Sequence, residues 1–116
     1  MARRGERVAR PGRKGGWQLR FADNAPGDGW EELCRNAPSE TRVAYDAIES
    51  DPFSRLNPRR QFRLKGTADS VEVKGTRLEQ WQYEVTGAAR VLYAPDSATH
   101  VVWIVLARVR HPKDTE

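Results

Sequence analysis

The sequence predicts a single α+β domain in which a helical hairpin packs on a small, mainly antiparallel sheet, with the element order β-α-α-β-β-β. Three observations predict this class. Apolar and polar residues alternate at 17–21 and again at 79–94, two helical stripes lie between these segments, and an almost wholly apolar run follows them. The length of 116 residues suits one such domain with a small two-layer core.

The domain is predicted to begin at Trp17, after an amino-terminal arm. Residues 1–16 are basic, rich in glycine and proline and poor in apolar groups, so burial cannot compensate for the entropy lost on ordering them. We therefore expect residues 1–16 to form a flexible basic arm and residues 17–116 to form the domain. Trp17, Leu19 and Phe21 alternate with polar residues, which predicts a half-buried first strand.

Two amphipathic helices are predicted to follow the first strand. Asp28 and Glu31 have the spacing of a capping box at the start of the first helix. Cys34 falls on the apolar stripe of that helix and is expected to be buried as a small apolar group. Pro38 separates this helix from a second one, which ends before Pro52 and has an apolar stripe formed by Val43, Ala44, Ala47 and Ile48.

The carboxy-terminal half of the domain is predicted to form a three-stranded meander. Residues 79–85 alternate cleanly, residues 86–88 make a hairpin turn, and residues 89–94 form the return strand. After a second turn at 95–97, residues 100–108 are almost wholly apolar, which predicts a central strand covered on both faces. The large aromatic residues of these strands are expected in the core: Trp81, Tyr83, Tyr93 and Trp103.

Charge is distributed very unevenly along the chain. The net charge of +4 conceals a net +5 in residues 1–16, a net −5 in residues 17–51 and a net +5 in residues 52–68, which contain no acidic residue. A protein polarised in this way favours a polyanionic partner bound on one face, and nucleic acid is the commonest such partner. The alternative is an ordinary solubilising tail and a solvated loop.

Composition argues against several other classes of protein. The single cysteine, Cys34, allows no internal disulfide framework and no cysteine-based metal cluster, and the two histidines, His100 and His111, have no metal-ligand spacing. No apolar run approaches the roughly 18–20 residues of a membrane span, and the basic amino terminus lacks the apolar stretch of a secretory signal. We therefore expect a cytoplasmic protein that needs no membrane, metal or cofactor.

Three short segments occur in a recognisable order along the chain: Leu64-Lys65-Gly66 before the meander, Arg90-Val91-Leu92-Tyr93 on its second strand, and a closing Val109-Arg110-His111-Pro112-Lys113. In this order and spacing they resemble the RelE/ParE superfamily of bacterial toxin–antitoxin toxins. The resemblance covers the chain from about Trp17 onward and leaves out the arm. It implies a RelE-like fold and a toxin of a type II system that a cognate antitoxin protein holds inactive.

The resemblance implies one of two activities. In the RelE branch the toxin enters the ribosomal A site and cleaves mRNA without a metal ion. A ribose 2′-hydroxyl attacks the adjacent phosphate, which leaves a 2′,3′-cyclic phosphate and a 5′-hydroxyl. In the ParE branch the toxin acts on DNA gyrase. The leading interpretation is a ribosome-dependent mRNA endoribonuclease that blocks translation; the alternatives are a gyrase-directed toxin of the same fold and a non-catalytic module that binds nucleic acid or protein.

The resemblance also implies a catalytic set. Arg90 matches the strand arginine that stabilises the phosphate in the transition state, and Lys65 matches the basic position before the meander. His111 matches a carboxy-terminal histidine, the residue type suited to proton transfer near neutral pH. The sequence departs from the family where Pro112 stands in place of an arginine and no tyrosine follows. Either these three residues suffice, or the activity is altered, or the target is not mRNA.

Further basic residues are candidates for RNA-phosphate contacts, which supply affinity without sequence preference: Arg59, Arg60, Arg63, Arg108, Arg110 and Lys113. Each could instead be a solvated surface group, and Arg90 could pair with Glu84 across the hairpin. His100 is expected to be structural or exposed. If the faces alternate as predicted, Lys65, Arg90 and His111 converge on a concave basic surface on the side of the sheet away from the helices.

Overall fold

The computed structural model describes residues 4–5 and 15–109. The elements follow in the order β1 (Gln18–Phe21), α1 (Ala25–Asn36), α2 (Pro38–Ser50), β2 (Gln61–Arg63), a short 3-10 helix (Gly66–Ala68), β3 (Ser70–Val73), β4 (Thr76–Glu79), β5 (Trp81–Glu84), β6 (Arg90–Asp96) and β7 (Val101–Arg108). The predicted flexibility of the arm and the predicted positions of Arg110, His111 and Lys113 fall outside the described residues.

Five strands form one mixed sheet in the order β1-β7-β6-β5-β2. Strand β1 runs parallel to β7, and the other three pairs are antiparallel. The apolar strand β7 therefore lies inside the sheet with a neighbour on each side, as its composition predicts. The α+β class, with a helical hairpin on a mainly antiparallel sheet, is confirmed.

The core lies between the two helices and one face of the sheet. Leu33, Ala44 and Ile48 of the helices pack against Val91 and Tyr93 of β6, and all five residues are fully buried. Because the helix side chains share one stripe and the strand residues alternate, each element needs only one apolar face.

The first helix lies unusually close to β7. A side chain at Gly29 would overlap the backbone carbonyl of Ala107, so only glycine allows α1 to approach the strand this closely. This close packing fixes the helical hairpin on one face of the sheet and leaves the opposite face for other contacts.

An additional hairpin lies over that opposite face. Strands β3 and β4 form a separate two-stranded sheet in which Val73 is buried, and the Nζ of Lys74 lies 5.5 Å from the centre of the Trp103 ring. Trp103 is half-buried there, outside the core in which it was expected. The hairpin thus supplies the second cover that β7 was predicted to have, but only over part of the strand.

The sequence prediction was also wrong in other local details, among them the burial of Phe21 and Val43, which are both exposed. Strands β2, β3 and β4 were not predicted, because strands of three or four residues carry too few alternations to stand out. Helix α1 begins at Ala25 with Pro26 in its first turn, ahead of the proposed cap at Asp28. Cys34 is exposed, because it lies about 100° around the helix from the buried Leu33.

Candidate nucleic-acid interface

Four charged residues form a row across one end of the sheet. Arg108 on β7 lies opposite Arg90 on β6, and Arg90 lies opposite Glu84 on β5. The backbone N–H of Glu84 in turn donates to the carbonyl of Arg60, at 2.7 Å. We call Arg60, Glu84, Arg90 and Arg108 the arginine row. The side chains of direct cross-strand partners point to the same face of a sheet. Glu84, Arg90 and Arg108 therefore share the face turned away from the helices.

Arg90 occupies the centre of the arginine row. Its neighbour Val91 points into the core, so Arg90 points to the opposite face, as the alternation predicts. The side chain is half-buried, and its Nε is buried without a hydrogen-bond partner among residues 15–109. Within that range no ion pair joins Arg90 to Glu84, although the two lie directly opposite each other. The guanidinium therefore has unused donors on a partly desolvated surface.

Arg60 is held by the backbone at the end of β5. Its Nη1 donates to the carbonyls of Glu84, at 2.8 Å, and Val85, at 3.2 Å. Only the donors of its other two guanidinium nitrogens remain for a ligand. Arg59 beside it is exposed, and no hydrogen bond or ion pair of its side chain is found among the described residues. Of these two candidates, Arg59 is the more available for a phosphate and Arg60 anchors the loop before β2.

The two buried tyrosines of β5 and β6, Tyr83 and Tyr93, are unsuited to proton transfer. Burial raises the pKa of the Tyr83 phenol above its ordinary value, and the charge of Arg60 opposes that change only in part. Burial also raises the pKa of Tyr93, whose hydroxyl accepts a hydrogen bond from Gln61 and donates one to the Pro52 carbonyl, at 2.7 Å. Both phenols are therefore neutral and held in the core at neutral pH, and neither replaces the tyrosine missing from the family pattern.

Lys65 lies at the other end of β5 from the arginine row. The N–H of Leu64 donates to the carbonyl of Gln80, at 2.9 Å, and this bond fixes Lys65 near the start of β5. Glu84, which lies opposite Arg90, is four residues beyond Gln80, about 13 Å further along the chain. The expected approach of Lys65 to Arg90 is therefore wrong, because backbone pairing holds the two residues at opposite ends of the sheet.

Lys65 instead borders a groove along the edge strand β2. This β2 groove has a volume of about 320 Å³ and is lined by Arg55, Pro58, Gln61, Phe62, Arg63, Leu64, Lys65 and Trp81. Arg55 was not a candidate from the sequence, although it belongs to the basic stretch 52–68. Its guanidinium carbon lies 6.0 Å from the centre of the Trp81 ring, which holds the cation over the groove.

Arg63 supports the turn that follows β2. Its Nε and Nη2 donate to the carbonyl of Asp69, at 3.4 and 3.3 Å, and its Nη1 lies 3.5 Å from Oε2 of Glu79. Arg63 thus connects the 3-10 turn and the end of β4 to the groove. An RNA phosphate can contact Arg63 only by replacing Glu79 in this partly exposed ion pair.

His100 lies far from the arginine row, at the start of β7. Its ring stacks on Trp17 with centroids 4.1 Å apart, and its Nε2 is 3.0 Å from the carbonyl of Gly15. The residue is exposed and has a left-handed backbone conformation with φ of 60°. It connects the beginning of the domain to the turn before β7, which agrees with a structural role.

Two further findings concern residues 4–5 and 15–109 only. No group of three histidine, cysteine or carboxylate side chains in these ranges is arranged to hold a metal ion. No helix there is long and apolar enough to cross a membrane.

Comparison with known proteins supports the fold. No protein-family model matches the chain, and no curated protein matches it. Among solved structures, the chain resembles a chain of the archaeal RelE–RelB complex from Pyrococcus horikoshii OT3, with a TM-score of 0.55. The likeness covers 83% of this chain and 97% of that chain at 16% sequence identity. The protein therefore has a RelE-like fold, as the resemblance of its short segments implied.

Proposed function

We propose that this protein is the toxin of a toxin–antitoxin system and that it cleaves mRNA on the ribosome. The observation that carries the proposal is the pairing of Arg90 with Arg108 on the open face of a RelE-like sheet. Two guanidinium groups side by side repel each other in the free protein, and an anion between them removes that repulsion. Phosphate matches both groups, because each offers a planar fork of donors.

The reaction we assign to this surface is cleavage by the neighbouring 2′-hydroxyl. The 2′-oxygen forms a bond to phosphorus as the bond from phosphorus to the 5′-oxygen breaks, and a proton moves from the 2′-hydroxyl to the departing 5′-oxygen. Arg90 stabilises the negative charge that develops on the phosphate, and Arg108 binds it or an adjacent phosphate. His111, two residues beyond Val109, is the group we assign to proton transfer.

The other candidates contribute to affinity in this proposal. Arg59, Arg110 and Lys113 contact backbone phosphates, with Arg60 and Arg63 contributing through the donors that their structural bonds leave free. Lys65 contacts a flanking phosphate of the same RNA, because its distance from Arg90 is too great for both to hold one phosphate. The partners are mRNA, the ribosome and a cognate antitoxin protein, and the ribosome as a target implies action in the cytoplasm.

Induced expression in a bacterial host tests the proposal. The wild-type chain should arrest growth and produce mRNA fragments with new 5′-hydroxyl ends. Arg90→Ala should lower cleavage by about 10²–10³-fold, the usual cost of losing one preorganised charge-stabilising donor. Arg35→Ala on the exposed side of α1 is the matched control and should behave as the wild type.

The same experiment separates the alternatives. Growth arrest without new mRNA ends would replace mRNA cleavage by action on gyrase or another target. Absence of growth arrest, with the protein folded and expressed, would contradict the toxin class. Relief of the arrest by co-expression of a small acidic protein from an adjacent reading frame would support the antitoxin partner.

A further inference from the structure

We propose that the β2 groove is a second phosphate-binding site, which takes the backbone of single-stranded RNA a few nucleotides from the arginine row. The inference rests on the proposed function and joins two of its phosphate contacts, Arg63 and Lys65, to Arg55 in one groove. It assigns a ligand role to Arg55, a residue with no expected function.

The charges around the groove favour an anion. Arg55, Arg63 and Lys65 line it, and Glu79 is the one acidic partner found for them among the described residues. The Arg63–Glu79 contact is 3.5 Å long between partly exposed side chains, so it stabilises the fold little and can exchange for a phosphate. Arg55 and Lys65 are exposed. Three cationic side chains therefore surround the β2 groove, and the acid found there, Glu79, is already paired with Arg63.

The shape and lining of the groove suit a nucleotide. Its volume of about 320 Å³ lies within the range of roughly 300–1,000 Å³ that small-molecule sites occupy. Phe62 and Leu64, both half-buried, and the buried Trp81 add apolar residues to its lining. Single-stranded nucleic acids are bound by this combination of a basic track and apolar or aromatic surface, without preference for sequence.

The backbone of β2 adds one more donor. The carbonyl of Arg60 and the N–H of Leu64 bond to β5. In an antiparallel edge strand, the backbone N–H and C=O groups of alternate residues point toward the paired strand and toward the open edge. The N–H of Arg63 therefore points toward the open edge. An extended peptide could also pair with this edge, but β2 has only three residues and the cations around it favour a polyanion.

The groove and the arginine row are separate sites joined by one ligand. The groove starts beside Arg60, at Gln61, but its Lys65 end and the Arg90–Arg108 pair lie at opposite ends of β5, about 13 Å apart along the strand. One phosphate cannot reach both, whereas about four nucleotides span this distance at the roughly 3.4 Å rise of a stacked strand. The RNA would pass from the open face of the sheet around the edge strand β2.

Binding of a fluorescein-labelled 2′-O-methyl oligouridylate of about twelve nucleotides tests the groove, because this RNA binds but has no 2′-hydroxyl for the reaction. Fluorescence anisotropy is measured between about 50 and 200 mM NaCl. The groove variant is Arg55→Gln with Lys65→Gln, and the row variant is Arg90→Gln with Arg108→Gln. The control is Arg35→Gln with Arg42→Gln on the helices, which removes the same charge from exposed positions.

We expect the groove variant to lower the slope of log affinity against log salt by about 1.4, which corresponds to two lost single-strand phosphate contacts. The control should keep the wild-type slope. Combining the groove and row variants should multiply their separate fold-changes, because sites more than about 10 Å apart act independently. Both groove residues are exposed, so circular dichroism should show wild-type melting for the groove variant.

Wild-type affinity and slope in the groove variant, with binding weakened in the row variant, would overturn the second site and leave the proposed function intact. Failure of the wild-type chain to bind the oligouridylate would also overturn it. Loss of a co-expressed antitoxin from the groove variant, with RNA binding unchanged, would assign the groove to a peptide instead. RNA binding through the groove without mRNA cleavage in cells would retain this site and contradict the endoribonuclease proposal.

Discussion

Arg90 and Arg108 face each other directly across the β6–β7 pair, on the sheet surface turned away from the helices. Like charges directly opposite each other destabilise an antiparallel pair by roughly 0.2–1 kcal/mol. The buried Nε of Arg90, which has no hydrogen-bond partner among residues 15–109, adds a desolvation cost. A local arrangement that opposes stability in this way is expected where a protein binds a ligand of opposite charge.

The first prediction concerns this arginine pair. Arg108→Glu converts a repulsive cross-strand pair into an attractive one and should raise the free energy of unfolding by about 0.5–1 kcal/mol. The melting temperature should rise by several degrees, while RNA binding and cleavage fall. Thermal unfolding and anisotropy measure the two effects, and Arg108→Gln should give a smaller gain in stability. A less stable Arg108→Glu protein would show that the two guanidinium groups do not repel each other.

The general architecture could be predicted from the sequence because its signals are local. The alternation around Tyr83 and Tyr93 and the apolar run from Val101 fix which faces are buried, and the core residues follow. The β3–β4 hairpin was missed for the opposite reason. Its one buried residue is Val73, and its periodic signal is the single short alternation of Val71 and Val73 with Glu72.

The candidate site was predicted only in part, because it depends on strand register. Alternation correctly places Arg90 opposite the core face. No local pattern reveals that Arg108 is its direct partner, or that the pairing of Leu64 with Gln80 carries Lys65 to the far end of β5. Register is set by long-range pairing of whole strands, which a single sequence does not display.

The second prediction tests the close packing of α1 on β7. Gly29→Ala places a methyl group against the Ala107 carbonyl and should destabilise the fold by about 1–3 kcal/mol, the usual cost of overpacking. Gly27→Ala in the same helix meets no atom and should stabilise it by about 0.5–1 kcal/mol. Urea unfolding measures both variants. Equal stabilities would mean that the helix can move away from the strand at no cost.

The third prediction is a dependence of stability on alkaline pH. Burial raises the pKa of Tyr93 above the ordinary value of 10.0, so the unfolded chain loses this proton first as the pH rises. The contribution of Tyr93 is therefore complete below pH 10 and is lost as the pH increases beyond it. Tyr93→Phe should reduce the alkaline loss, and the part that remains should come from Tyr83, whose pKa is also raised.

Tyr93→Phe should also be less stable at neutral pH. It removes the donor to the Pro52 carbonyl and the acceptor for Gln61, and unsatisfied buried groups cost about 1–3 kcal/mol each. Urea unfolding at pH values of about 7 and 10.5 measures both effects. An alkaline loss as steep in Tyr93→Phe as in the wild type would assign the titration to other groups.

The last prediction concerns the proton-transfer group. His111→Ala should lower mRNA cleavage by about 10²–10⁴-fold, the range for losing a general acid or base, with ribosome binding and folding little changed. His100→Ala is the matched control, because His100 is exposed and stacks on Trp17 at the opposite end of β7 from Arg108. It should reduce stability slightly and leave cleavage at the wild-type rate. The pH–rate profile supplies an independent measurement: the wild type should lose activity around the pKa of a histidine, and His111→Ala should show a flat profile there. Full toxicity and an unchanged cleavage pattern in His111→Ala would assign proton transfer to water or the ribosome, and Arg90 would remain as the group that stabilises charge on the phosphate.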